Sequence, residues 1–297
     1  MNPQDRFKDY KGDKCWQAYI SEVNRKDDLA AAGLTEEEAS MLRTSDFLFE
    51  YVSSDQKELC REIKEFIERH EWLAKLPNRP THRFTARLKK NGTLAGTIIM
   101  ATPNAFSNLL GKENKDKEKL ISRGACISWG PKNLGSWLIM SSVRWMAENT
   151  DFRYFTAYSD PEAKELGTIY QACNFTYLGQ TSGTTKQYLD PNHPEKGWFS
   201  DREFRKKSKY QRYAHALGID KQTWKGWMKK YSPNWEIIPE DIKAKIKSEE
   251  KKYRDSCKER PVPAKHKYVC ILGASPGETK YYKRLFKKLN PKKANLS

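Results

Sequence analysis

Four residues in one short stretch carry side chains suited to a proton-coupled transfer: Tyr158, Ser159, Asp160 and Tyr170. A group-transfer step needs its reactants held together, with groups that accept and supply protons. Asp160 ends an aromatic, β-favouring run, 152–158, and Pro161 breaks the strand after it. Its carboxylate can therefore point into a cleft to orient an amine or bind a metal, or it can simply cap the next turn. Tyr170 falls on a short helix, 167–173, either as a proton donor or as a core tyrosine with a satisfied hydroxyl. Tyr158 and Ser159 are supporting candidates.

A second candidate lies in the turn 130–136. Lys132, Asn133, Leu134, Gly135 and Ser136 sit between a strand and an apolar helix, 137–148, where backbone amides and the helix dipole can hold an anion. A Walker loop is excluded, because Ser136 and Trp137 follow Gly135 where a lysine is required. A plain structural turn remains equally open. No metal centre is expected. The six cysteines are scattered without a Cys-x-x-Cys pair, and His82 is the only histidine among the core strands.

The elements that must position these residues read as a mixed α/β domain. A strand at 47–52 precedes a helix capped by Ser54 or Asp55 and running to about residue 72. Leu59, Ile63, Phe66, Ile67 and Leu73 form its apolar stripe. Asn91-Gly92 supplies the tight turn of a hairpin, 82–88 with 94–101. A polar connection, 104–119, leads to a strand at 124–129. Strands at 176–179, 184–189 and 267–272 complete the set, the last two expected to pair with each other. Residues 1–45 show a helix near 16–23 and a helix start at Thr35-Glu36-Glu37-Glu38, but no chemistry.

At 297 residues and 37% hydrophobic content, the chain can bury a sizeable core. No apolar run reaches membrane-spanning length, and the first residues lack a secretory core, so a soluble cytoplasmic protein is expected. The net charge of +17 is unevenly placed: residues 1–190 hold 27 basic and 26 acidic residues, and residues 191–297 hold 28 and 12. Such a field suits DNA, unless it is only a solvated lysine-rich surface. Within it, Ser200-Asp201-Arg202-Glu203 reads as a capping box starting a basic helix with Arg205, Lys206 and Lys207. Residues 213–227 read as a helix-turn-helix turning at Gly218, with Lys221, Gln222, Thr223 and Lys225 toward the major groove. A helical hairpin with no DNA role has the same pattern. Basic helices at 239–257 and 280–293 suit phosphate contact or solvent. Four segments follow: an extension (1–45), a core (46–190), a basic helical insertion (191–264), and a last core strand with a basic helix (265–297).

The element order over about 47–179 resembles the GNAT (Gcn5-related N-acetyltransferase) fold. That implies a mixed, mostly antiparallel sheet flanked by helices, with the insertion placed before the last strand. It also implies an acyl-coenzyme A or related donor at Lys132-x-x-Gly135, and a proton-donating role for Tyr170. Two positions depart from the family pattern. Trp137 replaces a small residue, and Asn174 stands where glycine is usual in Tyr170-x-x-x-Asn174-Phe175. A narrower resemblance is to the Mom-type branch, through Ile127-Ser128-Trp129-Gly130-Pro131, Tyr158-Ser159-Asp160-Pro161 and Gly167-Thr168-Ile169-Tyr170-Gln171-Ala172. Mom proteins, mostly phage-encoded, modify the exocyclic amine of adenine in DNA and so protect it from restriction. The resemblance implies that activity here. The residues also leave room for a non-catalytic DNA-binding protein, or for an acetyltransferase of another amine.

Overall fold

The computed structural model describes residue 7 and residues 10–181, 186–230 and 232–293. Two helices come first, α1 (Trp16–Ala32) and α2 (Glu36–Met41). The Thr-x-x-Glu spacing forms a reciprocal capping box at α2: the Thr35 hydroxyl accepts the Glu38 amide, and the Glu38 carboxylate accepts the Thr35 amide. After β1 (Phe47–Val52) comes α3 (Lys57–His70), which buries Ile63, Phe66 and Ile67 as the three- and four-residue spacing requires. Gln56, not Ser54 or Asp55, precedes its first turn, and no side chain caps it.

The hairpin β2 (Pro80–Leu88) and β3 (Leu94–Ala101) turns at Gly92, whose φ of +75° explains the Asn-Gly pair. All eight residues of β3 are buried. Next come β4 (Glu118–Cys126), α4 (Leu134–Asn149), β5 (Tyr154–Ser159), α5 (Thr168–Ala172) and β6 (Thr176–Gln180). The rest of the chain holds β7 (Lys186–Leu189), β8 (Phe199–Ser200), α6 (Lys207–Ala216), α7 (Lys221–Gly226) and α8 (Glu240–Ser256). It ends with β9 (Lys258–Pro261), β10 (His266–Ile271) and α9 (Pro276–Leu289).

These elements form two compact units, one of Asp9–Thr181 with Lys265–Ser297, the other of Ser182–Ala264 with Met1–Lys8. The larger unit holds a seven-stranded sheet in the order β1-β2-β3-β4-β5-β10-β6. Every neighbouring pair is antiparallel except β4 with β5. With helices against it, this is the mixed, mostly antiparallel architecture that the GNAT resemblance implies.

Two expectations about strands are corrected. The strand predicted at 124–129 begins at Glu118, because charged residues open it: Glu118 and Lys119 are 1% and 3% exposed. Burial is tolerated because Glu118 accepts hydrogen bonds from the Thr156 hydroxyl at 2.8 Å and from the Ser107 amide. Lys119 lies 4.3 Å over the Phe152 ring, and burial pulls its pKa down to about 8. The predicted pairing of 184–189 with 267–272 is also overturned. Residues 184 and 185 lie outside the described residues; β7 pairs with β8 and β9 in the smaller unit, while β10 lies between β5 and β6. β10 is predominantly buried, with Tyr268, Val269, Cys270 and Ile271 all inside, so it takes an interior place in the sheet.

No helix among the described residues is long and apolar enough to cross a membrane.

Candidate active site

The parallel neighbours β4 and β5 pair over only three positions, Glu118 with Tyr154 through Leu120 with Thr156. Beyond Leu120 the two strands part: β4 continues against β3, and β5 against β10. The buried Glu118–Thr156 hydrogen bond marks the closed end of this splay. Its open end collects residues from four places: β4, the loop after α3, the segment after β5, and α5.

Tyr170 is packed between Phe175 and Tyr268, with ring centroids 5.6 and 5.4 Å away. Burial pushes its phenol well above the ordinary range, and the carboxylates of Glu165 and Glu71 push it further. The hydroxyl is therefore held protonated at neutral pH. Glu71 follows α3, is 6% exposed, and has its pKa raised to about 7, chiefly by burial, with Glu165 adding to the rise. Arg123 on β4 lies 4.0 Å away, and the Leu73 and Ala74 amides also favour the charged form. Ala74 adopts a φ of +48°, an uncommon conformation for alanine, and its amide donates to the Glu71 carbonyl at 3.0 Å. Glu165 is likewise raised, mainly by burial; the Asp160 amide donates to it at 3.2 Å, and the Trp72 side chain bonds to it. Two carboxyls with raised pKa therefore flank a protonated phenol.

The residues expected from the sequence fall around this cluster. Asp160 caps the following 3-10 turn, accepting the Glu162 amide at 3.1 Å, and pairs with Lys265 at 2.6 Å. The capping role is thus real, and its second oxygen is held by a lysine. Ser159 is 2% exposed, and its hydroxyl has no hydrogen-bond partner among the described residues. Tyr158 points away as an exposed ring with the Lys267 ammonium 5.5 Å from its centre. Sequence reasoning missed Glu71, Glu165 and Arg123. Glu165 lay between the two residues singled out, but no spacing rule links Glu71 or Arg123 to Tyr170.

Both departures from the GNAT pattern have local explanations. Asn174 has φ +56°, a left-handed conformation that asparagine accepts better than most residues, so glycine is not needed there. The Trp137 ring packs edge-on against Phe49 in the core, 6.4 Å between centroids, rather than into the turn. The turn itself is fixed by α1: the Ser128 hydroxyl donates to the Asp28 carboxylate, and the Trp129 indole donates to the Asp28 carbonyl. α1 thus has a structural task.

At the start of α4, the Gly135 and Ser136 amides have no acceptor within the helix, and Lys132 and Asn133 are exposed beside them. Leu134 is buried, and the Ser136 hydroxyl donates to the Asn133 carbonyl at 3.1 Å. A Cβ on Gly135 would meet Ile169 Cδ1 at 2.9 Å, so α5 approaches closely here. The donor set fits the phosphates of an acyl-coenzyme A once the half-exposed Ile169 side chain turns aside.

Gly167, which starts α5, has φ +69°, and a Cβ there would lie 2.4 Å from the Tyr268 ring. Gly167→Ala is expected to destabilise the protein by about 1–3 kcal/mol and to displace Tyr170, read by chemical denaturation.

The smaller unit has its own core, in which Tyr210, Tyr213, Ala214, Trp224, Ile238 and Ile246 are buried. The expected capping box at Ser200 does not form. Residues 201–203 make one 3-10 turn, Ser200 caps nothing, and α6 begins at Lys207. Short-range ion pairs explain this: Arg205 and Lys206 are bound to Asp201 and Glu203 in that turn. α6 and α7 are joined through Gly218, whose φ is +74°. Arg202, Arg205, Lys206, Lys207, Lys221, Gln222 and Lys225 are exposed; so is Thr223, but its hydroxyl turns back to the Asp220 carboxylate at 2.5 Å. α7 spans six residues, under two turns. A groove of about 540 Å³ with Tyr210 and Trp235 in its wall adds Lys243, Lys247, Lys251 and Arg254 of α8, the helix that the sequence marks as basic.

Residues 59–283 match the profile of the Mom protein family. No individual curated protein matches the chain. Among solved structures, the chain is similar to the ribosomal-protein-S5-alanine acetyltransferase of Vibrio fischeri at 14% identity, over 42% of this chain and 59% of that one, with TM-score 0.28. It is also similar to a spermidine/spermine N-acetyltransferase of Vibrio cholerae, at 10% identity over 50% and 84% of the two chains, TM-score 0.30. A third is the N-acetyltransferase PseH of Campylobacter jejuni, at 16% identity over 46% and 92%, TM-score 0.28.

Proposed function

The chain belongs to the Mom protein family, whose profile spans about three quarters of it, and on that premise we propose that it is a transferase modifying the exocyclic amine of adenine in DNA. The observation that carries this reading is Tyr170, held protonated beside two carboxyls of raised pKa at the open end of the splay. A nucleophilic amine must shed a proton as its new bond forms, and the leaving atom of the donor must gain one. Glu71, poised near pH 7, accepts the proton from the amine. The Tyr170 hydroxyl supplies the proton to the leaving atom. Arg123 holds the ionised form of Glu71 in place, and Asp160, fixed by Lys265, sets the segment that carries Glu165. The amides of Gly135 and Ser136, with Lys132 and Asn133, would hold the phosphates of an acyl-coenzyme A or related donor. When bound, that donor supplies the activated carbon.

DNA is the proposed partner because the excess positive charge lies in the last third of the chain. Arg202, Arg205, Lys206, Lys207, Lys221, Gln222, Thr223 and Lys225 are the proposed contacts in the smaller unit. An amine inside a duplex must leave the stack to be reached, at a cost of a few kcal/mol. The test is nucleoside mass spectrometry of DNA from cells expressing the chain, compared with Tyr170→Phe and Asp160→Asn. A new adenine derivative that disappears in Tyr170→Phe is the expected result. Unmodified DNA at good expression would leave a non-catalytic DNA-binding protein instead.

A further inference from the structure

The larger unit carries a second feature. Between the C-terminal half of α4 and the start of α9 lies a groove of about 690 Å³. Four basic residues on α9, Lys280, Lys283, Arg284 and Lys287, line one side, and Arg144 of α4 lines the other. Their spacing of three, four and seven residues places the α9 cations on one helix face. Glu148 is the only acidic residue in the lining. None of the five cations forms an ion pair or hydrogen bond among the described residues. The aromatic groove of the smaller unit is different: Arg205, Lys243 and Arg254 there are already paired with Asp201, Glu240 and Glu250.

From this we infer that the α4–α9 groove is a docking track for the sugar–phosphate backbone of DNA. The inference rests on the reading of DNA as substrate. Five cations facing one carboxylate in a concave surface repel one another, a polyanion relieves that repulsion, and a regular row of phosphates matches a row of cations one helical turn apart. The loop before α9 adds polar groups: Ser275 caps the helix through the Glu278 amide at 3.2 Å, so the helix start is ordered. Position matters as well. The groove adjoins Leu272, just past the Ile271 end of β10, whereas Tyr170 packs on Tyr268 of the same strand. The step from Tyr268 to Leu272 is ~13 Å at the usual rise. That span corresponds to ~4 base steps along a duplex at 3.4 Å each. Backbone contacts of this kind fix the register of a duplex without reading its sequence. The groove therefore anchors the DNA a fixed distance from the adenine that is modified, on the same unit as the chemistry.

The experiment is fluorescence anisotropy with a 30-base-pair duplex and the full chain, at several salt concentrations. The variants are the quadruple Lys280→Ala, Lys283→Ala, Arg284→Ala, Lys287→Ala, and the single Glu148→Gln. The quadruple variant is expected to bind at least tenfold more weakly, and its log–log salt slope to fall by up to ~3.6, about 0.9 for each phosphate no longer neutralised. Glu148→Gln removes the opposing charge and is expected to tighten binding, a gain that misfolding cannot mimic. Wild-type slope and affinity in both variants would overturn the track while leaving DNA as the substrate. Absence of duplex binding by the wild-type chain would sink both. If free ATP bound at micromolar concentration, failed to bind the quadruple variant, and duplex affinity stayed unchanged, the groove would be a nucleotide site and the inference would fail.

Discussion

Tyr170→Phe is expected to lower the transfer rate by about 10²–10⁴-fold while leaving the fold almost untouched. The rate effect follows from losing a positioned proton donor. The small structural effect follows from what the hydroxyl does not do: it makes no hydrogen bond to another described residue. The ring contacts with Phe175 and Tyr268, which hold the side chain, are retained by phenylalanine. Stability should therefore change by less than about 1 kcal/mol in urea denaturation. A large loss of stability would mean that the tyrosine serves the core; full activity would mean that another group donates the proton. The two outcomes separate a packed tyrosine from a working one, the alternative that the sequence left open.

The second large effect is expected from Glu71→Gln, in opposite directions for activity and stability. As a base, Glu71 must be ionised, so wild-type kcat/KM should rise with pH through about 7, the value its burial imposes. Glutamine cannot accept the proton, so the variant should lose that limb and be nearly inactive. Stability runs the other way. A carboxyl whose pKa is raised from 4.5 to about 7 on folding binds its proton more tightly in the folded state. Its contribution is fully present below pH 4.5 and is lost as pH rises through about 7. The glutamine variant has no such loss. Relative to wild type, it should gain stability between pH 5 and 8, by up to about 3 kcal/mol, and then level off. Paired denaturation curves at pH 5 and pH 8 measure this directly. Equal stability gaps at the two pH values would show that Glu71 is charged throughout, with Arg123 4.0 Å away compensating it.

Much of the architecture was legible because it rests on short-range rules. The period of Leu59, Ile63, Phe66 and Ile67 marks α3, Asn91-Gly92 marks the β2–β3 turn, and Thr35 with Glu38 marks α2. Where reading failed, a distant partner had changed the meaning of a residue. Glu118 and Lys119 look like a solvated connection until Thr156, Ser107 and Phe152 accommodate them inside the sheet. The run around 184–189 looks like half of a terminal hairpin until β9, some seventy residues later, takes that place (Lys186 opposite Pro261).

The site divides along the same line. Asp160, Ser159 and Tyr170 were visible because a strand, a break and a short helix occur within a dozen residues. That stretch also carries the likeness to the Mom family. Sequence alone therefore marked the candidate segment, carried the family's pattern, and placed the positive charge toward the end of the chain. Tertiary structure decided what each of these residues contacts. It set Asp160 on Lys265 and the Glu162 amide, and it brought Glu71 and Arg123 to Tyr170 from separate parts of the chain. The reason is physical: the proton affinities of Glu71 and Tyr170 arise first from burial, and then from charges. Of these, Arg123 lies more than forty residues from both in sequence, as Glu71 does from Tyr170, whereas Glu165 is near Tyr170 in the chain. No local pattern encodes that environment; only the packing of α3's end, β4 and α5 at the splay creates it.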